Sequence, residues 1–335
     1  MRSFWNNLKK PFFVMAPMAD VTDVAFRALV AKRGKPDVFW TEFVSADGLY
    51  HTREKQGDTS LREESPCLSS NPLMRDLQFS EEQRPIVAQI FSSKPEMISY
   101  ATKLVAERSF DGVDLNMGCP DKSIEKQCAG AALMKNPSLA VELIHAAQEA
   151  SSLPVSVKTR VGYSKESLEE WLTELLKAEP AAITIHLRTR KELSLVPADW
   201  ELMKKAVEIR NRVNPKVLLI GNGDVRDMAD AREKAEKYGC DGVMFGRAVF
   251  GNPWLFEGIS GHPMSTHGLS EKLEALVELA HGFEKITPAK NFALLKKHIK
   301  AFVTGFDGTA ELRSKLMRAE SAAELERLVS HFVGK

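Results

Sequence analysis

The residues best suited to chemistry stand in short motifs. In Asn116-Met117-Gly118-Cys119-Pro120, Pro120 lacks an N–H and biases Cys119 away from helix, while Gly118 permits a sharp exit. The Cys119 thiol is thereby presented on a loop, whereas Cys128 and Cys240 read as inert packing residues. Lys158/Arg160 and His186/Arg188 are pairs spaced two apart within apolar runs, so each pair points to one side of an extended strand. Taken singly, Lys158 reads equally as a salt-bridged residue and His186 as a hydrogen-bonded core imidazole. Together they point to a site, because polar groups inside apolar strands are costly unless paired or used. Ile220-Gly221-Asn222-Gly223-Asp224 and Phe245-Gly246-Arg247 are glycine-bearing turns. Their backbone N–H groups can approach an anion closely and Arg247 adds charge, which implies a phosphorylated cofactor or substrate.

The elements that must position these groups are strands alternating with helices. Eight β-rich runs are Phe12 to Ala16, Val38 to Phe43, Ile86 to Phe91, Gly112 to Asn116, Val155 to Arg160, Ile183 to Leu187, Val217 to Gly221 and Gly242 to Phe245. Amphipathic stretches lie between them, such as Pro95 to Arg108, Leu139 to Ala150 and Asp227 to Tyr238. Eight βα units in about 250 residues predict an α/β fold, a TIM (β/α)8 barrel, in preference to an open doubly wound sheet. Its active rim is formed by strand C-termini. That rim collects Pro17, Met18, Glu42, Gln89, Asn116, Cys119, Lys158, Arg160, His186, Arg188, Asn222, Gly223, Asp224, Gly246 and Arg247. Tyr50 to Gln83, polar and rich in Ser, Pro and Asn, reads as an excursion on a βα loop. Beyond Asn252 only helical patterns remain. The expected division is therefore a catalytic barrel over 1–256 and a small all-helical domain over 257–335.

Forty-six Lys and Arg against forty-five Asp and Glu, in 335 residues, exclude a globally basic nucleic-acid binder. Any polyanion must meet a local patch. Such a patch is expected between Lys285 and Arg318, which includes Lys290. On a helix through Asn291 to Phe302, Phe292, Leu295, Ile299 and Phe302 share an apolar face and Lys296, Lys297 and Lys300 lie on another. A solvated helix face is the ordinary account of those lysines and a polyanion-binding face the sharper one. No secretion signal or membrane-length apolar run is expected. The four cysteines show neither a disulfide framework nor a zinc spacing, so a cytoplasmic protein without a metal is expected.

In order and spacing these motifs resemble the tRNA-dihydrouridine synthase family. The segments that carry the resemblance include Met15-Ala16-Pro17-Met18-Ala19, Thr41-Glu42, Asp114 to Pro120, Gly130 to Met134, Val157-Lys158-Thr159-Arg160 and His186 with Arg188-Thr189-Arg190. They continue with Ala198-Asp199-Trp200, Gly221 to Asp224 and Asp241 to Arg247. Lys297-His298 and Glu311-Leu312-Arg313 resemble the family's helical tRNA-binding domain. The resemblance implies an FMN enzyme that reduces the C5=C6 bond of particular tRNA uridines, with NADPH, or NADH, as electron source. It implies Pro17, Met18 and Ala19 lining the flavin, and Gln89 and Lys158 on the ring's polar edge. His186 would lie beside the ring, and Asn222, Gly223, Asp224, Gly246 and Arg247 would be at the phosphate. Cys119 would be the acid that protonates C5, which suits a thiol of ordinary pKa about 8.5. Asn116, Arg160 and Arg188 would meet the uridine, and Lys296, Lys297 and Lys300 the tRNA. A monomer suffices for such a site, with the oligomeric state open.

The chain departs from the family pattern at Leu187, where a small residue is common. It departs again across Lys191 to Pro197, which lacks the usual aromatic and glycine. Two further readings keep the barrel. One is an FMN-dependent dehydrogenase of a free pyrimidine, like the dihydroorotate dehydrogenases, and the other makes Lys158 a Schiff-base lysine. A non-catalytic RNA-binding role is the last.

Overall fold

The computed structural model describes residues 3–55, 71–260, 266–304 and 309–333. Eight parallel strands form one sheet: β1 (Phe12–Met15), β2 (Phe39–Ser45), β3 (Ile86–Phe91), β4 (Gly112–Asn116), β5 (Val155–Arg160), β6 (Ala182–His186), β7 (Leu218–Asn222) and β8 (Gly242–Phe245). Their order is β1-β8-β7-β6-β5-β4-β3-β2. Val14 bridges Val38, and the Asp37 N–H donates to the Phe13 carbonyl at 2.9 Å, so β1 and β2 also meet and the sheet curls closed. The expected (β/α)8 barrel is the fold observed.

Most strand residues are buried because one face meets the barrel interior and the other the helices, which is why these strands read as apolar runs. Lys158 on β5 and His186 on β6 are mostly buried but reach solvent, as do Phe43 and Ser45 on β2. They mark where the interior opens. The opposite end is filled. Trp5, from a turn before β1, is 2% exposed and lies 5.9 Å, ring to ring, from both Phe12 and Trp40. With Val14, Ile220 and Met244 these rings fill the lower barrel, and the cavity lies at the strand C-termini.

The helices of the barrel are α1 (Val24–Gly34), α2 (Ala46–Lys55), α3 (Pro95–Glu107), α4 (Pro137–Ala150), α5 (Leu168–Lys177), α6 (Glu201–Val213) and α7 (Met228–Tyr238). Helix α5 shows the pattern most plainly, since Leu168, Trp171, Leu172, Leu175 and Leu176 recur at helical spacing and all are buried. Asp23 caps α1 by accepting from the Phe26 N–H, Asp227 caps α7, and α7 stops at Gly239 with φ +69°. The polar excursion expected from Tyr50 opens instead as helix. Helix α2 runs through Lys55 because Leu49 is buried and Tyr50 packs edge-on against Tyr100 at 5.2 Å. Residues 56–70 of that excursion, with Cys67, lie outside the described residues.

After β8 the chain is helical: α8 (Leu269–Glu284), α9 (Lys296–Phe302), α10 (Thr309–Leu316) and α11 (Ala322–Val333). Helix α8 packs on α1 and α11, burying Leu273, Leu276, Leu279 and Phe283. Lys290 leaves the expected basic patch. Its Nζ donates to Glu42 Oε2 at 2.5 Å and lies 3.2 Å from Asp76, with its side chain 2% exposed. Burial pushes the Glu42 carboxyl up to about 7 against the pull of Lys290. Among the described residues no helix is long and apolar enough to cross a membrane.

Candidate active site

Two rungs of the barrel build the site. Register places Asn116 beside Lys158 and Lys158 beside Thr184, and one step nearer the mouth it aligns Arg160, His186 and Asn222. Because side chains alternate along a strand, Lys158 and Arg160 point the same way, as do Thr184 and His186. The cavity above these rungs has a volume of about 800 Å³, within the range of roughly 300–1,000 Å³ usual for small-molecule sites. Lys158, Arg160, Arg188, Arg226 and Arg247 line it against one carboxylate, Asp224. Such a wall selects an anion.

Lys158 is the least satisfied of these cations. Among the described residues no hydrogen-bond or ion-pair acceptor meets its Nζ, and burial, with Arg160 nearby, lowers its pKa to about 8 despite Asp114 and Cys119. His186 is held well below its ordinary value by burial and by the surrounding arginines and Lys158. It is therefore neutral at pH 7. The Arg188 guanidinium lies 3.1 Å from His186 Nε2, and an arginine can only donate, so the imidazole proton belongs on Nδ1.

The turns after β7 and β8 form one side of the cavity. A Cβ on Gly246 would meet nothing within 4 Å, so the chain leaves open space beside Arg247. Gly223 has φ +136°, and a Cβ there would stand 2.6 Å from that of Ala198. Asn222 Nδ2 donates to the Met244 carbonyl at 2.9 Å, joining the two turns. Asp224 accepts from the Ala198 N–H at 3.0 Å, from Arg247 at 2.7 Å and from Arg188. Its carboxylate therefore aims the cationic groups rather than facing an anion itself.

The sequence-derived residues divide by this geometry. Pro17, Met18, Lys158, Arg160, His186, Arg188, Asn222, Gly223, Asp224, Gly246 and Arg247 are brought to one cavity, with Ala19 in the adjoining turn. Gln89 is 1% exposed in a chain below it, where its Nε2 donates to Asp114 at 2.7 Å and its Oε1 accepts from Asn116 at 3.3 Å. Asn116 Oδ1 accepts from the Cys119 N–H at 3.0 Å, so this amide supports the cysteine loop. Arg160 donates to the carbonyls of Gly118, Thr189 and Leu193, and Arg188 donates to that of Val196. Both arginines thus brace loops around the cavity. Cys119 itself stands at the edge. Pro120 provides the cavity wall, while the thiol packs toward Phe91, Ile124 and Ala129, and burial raises its pKa. Lys296, Lys297 and Lys300 lie apart on α9, and Lys297 pairs with Asp20 of the β1–α1 loop at 3.3 Å.

Arg226, which joins the cavity wall, escaped the sequence reading, as did the roles of two motif residues: Asp114, held by Ser156, anchors Gln89, and Arg190 forks onto Glu125 to tie the β6 loop to the β4 loop. Only the alternation of Asp114 with Asn116 on one strand face hinted at the role of Asp114. Among the described residues no group of three or more His, Cys, Asp or Glu is placed to hold a metal.

A closed parallel barrel whose cationic cavity opens at the strand C-termini, with glycine-bearing turns after β7 and β8, defines the class of (β/α)8 barrels with a site at that rim. Comparison with known proteins narrows it. The family model described as "Dihydrouridine synthase (Dus)" matches residues 14–333, so the chain belongs to the dihydrouridine synthase family and is an oxidoreductase. It is 40% identical over 334 residues to the "Probable tRNA-dihydrouridine synthase" of Staphylococcus aureus strain MRSA252, covering 98% of this chain and 95% of that one. It is also 40% identical over 337 residues to the "Probable tRNA-dihydrouridine synthase 2" of Bacillus subtilis strain 168, covering 99% and 97%. Among solved structures it resembles a 2-naphthoyl-CoA reductase, with TM-score 0.52 and 12% identity over 74% of this chain and 50% of that one. It also resembles the histamine dehydrogenase of Rhizobium sp. 4-9, with TM-score 0.52 and 10% identity over 96% and 61%. These structural likenesses concern the fold alone.

Proposed function

We propose that the chain is an FMN-dependent tRNA-dihydrouridine synthase, reducing the C5=C6 bond of uridines in tRNA with electrons from NADPH, or NADH. The observation that carries this reading is the Lys158 cation, without an acceptor among the described residues, in the wall of a cationic cavity whose edge carries the Cys119–Pro120 loop. The residues fit FMN. Lys158, with Gln89 beneath it, would hold the polar edge of the ring, and Pro17, Met18, Ala19 and the neutral His186 would border it. The open space at Gly246, with Gly223, Asn222 and the Arg247 that Asp224 aims, would take the phosphate.

FMN held by these residues would supply hydride-transfer chemistry directed at C6 of the uracil. Cys119 supplies the proton to C5, completing the addition of two hydrogens. Its raised pKa keeps that proton in place at neutral pH, and the nearby charges of Lys158 and Arg160 favour the thiolate left behind. Asn116 fixes the Cys119 backbone, and Arg160 ties the Gly118 carbonyl at 2.8 Å, so the loop carrying the acid is held from two sides. Asn116, Arg160 and Arg188 would thus serve the uridine chiefly by shaping its pocket. The barrel over 1–256 would carry the chemistry, and the helical domain over 257–335 would hold tRNA through Lys296, Lys297 and Lys300. The target base would be extruded into the cavity. A cytoplasmic site of action follows from a tRNA substrate. The test is incubation of the flavin-loaded protein with NADPH and tRNA lacking dihydrouridine, followed by mass spectrometry of nucleosides. A uridine gaining the mass of two hydrogens is expected, and tRNA left unchanged overturns the reading.

A further inference from the structure

The apolar surface beside the cavity is concentrated in one loop. Among the described residues the large apolar side chains left exposed are Leu193 at 38%, Leu195 at 82%, Val196 at 41% and Val333 at 51%. Three of these fall within four positions after β6. The loop is held rather than loose. Arg160 donates to the Leu193 carbonyl at 3.0 Å, Arg188 to the Val196 carbonyl at 2.7 Å, and the Leu195 N–H to the Glu192 carbonyl at 2.9 Å. Leu193 has φ +55°, a left-handed conformation that a bulky side chain rarely adopts, and its backbone anchors maintain it. A braced, strained loop that holds leucines in water has a surface built for a partner.

The surroundings specify that partner's chemistry. Leu193 and Ser194 line the same cavity as Arg226 and Arg247, whose side chains are 76% and 69% exposed. Apolar faces beside cations suit a polymer whose bases are flat and apolar and whose backbone is anionic. The loop is continuous with the pocket that receives the reacting base. We propose that Leu195, supported by Leu193 and Val196, wedges against the nucleobases flanking the extruded uridine and fills the place it leaves in the stack. This inference rests on the RNA substrate proposed above.

The test compares Leu195→Ala and Leu195→Met with the wild-type holoenzyme. Three rates are measured: flavin reduction by NADPH, turnover of unmodified tRNA, and turnover of a short uridine-containing oligoribonucleotide with no stable fold. For Leu195→Ala the expected result is a loss of about tenfold in kcat/KM on tRNA, with the other two rates unchanged. Leu195→Met should restore most of the loss. Because Leu195 is exposed, thermal melting of both variants should match wild type. Unchanged tRNA turnover in Leu195→Ala, or an equal loss on the oligonucleotide, overturns the wedge. Wild-type protein that reduces neither RNA overturns the RNA reading itself, and the wedge with it.

Discussion

Replacing Lys158 with methionine should make the flavin-free protein more stable while weakening its hold on flavin. Burial lowers the Lys158 pKa from 10.5 to about 8. At about 1.4 kcal/mol per pKa unit, that is a cost of about 3 kcal/mol for keeping the ammonium charged in the barrel of the flavin-free protein. Methionine has a similar length and carries no charge to desolvate. The pH dependence has a fixed sign. Since the folded pKa lies below the unfolded one, the unfolded chain holds the extra proton between about pH 8 and pH 10.5. The penalty is complete below pH 8 and fades as the pH rises to 10.5. Urea denaturation of the flavin-free proteins, followed by tryptophan fluorescence, should give Lys158→Met an advantage of up to about 3 kcal/mol at pH 7 and almost none near pH 10.5. Flavin retention on gel filtration should fall in the variant. A variant no more stable than wild type at pH 7, or an advantage independent of pH, would refute the assignment of Lys158 as a cation awaiting its ligand.

Three other substitutions probe separate links. Cys119→Ala should leave flavin reduction by NADPH intact and lower tRNA turnover by roughly 10²–10⁴-fold, as loss of a general acid does; single-turnover kinetics would show it, and full turnover would remove the thiol from the mechanism. Replacing Lys296, Lys297 and Lys300 together by Glu should weaken tRNA binding and flatten its salt dependence, read by filter binding across salt, whereas an unaltered slope would place the RNA elsewhere. Lys290→Met should lower stability by less than the roughly 3–5 kcal/mol of a fully charged buried pair, because the Glu42 carboxyl, already at about 7, takes up a proton; the loss should grow above pH 7 and be largely recovered in Lys290→Met/Glu42→Gln. Matching melting curves for Lys290→Met and wild type would show that this pair does not bind the C-terminal helices to the barrel.

The barrel was legible because buried parallel strands leave a distinctive trace. The runs Ile86 to Phe91, Gly112 to Asn116, Val155 to Arg160 and Gly242 to Phe245 are strands with those same limits. Val38 begins its run only as an isolated bridge to Val14, because the chain joins the β3 ladder one residue later, at Phe39. The convergence of Lys158, Arg160, His186 and Arg247 on one cavity also followed from spacing and strand order. Side-chain partners were less accessible. Arg188 and Gln89 have the composition of ligand-binding residues, yet their donors meet Val196, Asp224 and Asp114 within the protein. Lys290 read as a surface charge because its partner Glu42 is 248 residues away, a pairing that only the docking of the C-terminal helices creates. The exposed leucines of 193–195 gave no periodic signal at all, and their accessibility emerges only once the β6 loop is folded over the barrel mouth.

The central claim is most directly tested under anaerobic conditions, by reducing the purified flavoprotein with NADPH and following the flavin spectrum on addition of unmodified tRNA or free uridine. Rapid reoxidation by tRNA, with little by uridine, is the predicted result. Reduced flavin that is indifferent to tRNA, or that reacts equally with the free nucleoside, would contradict it.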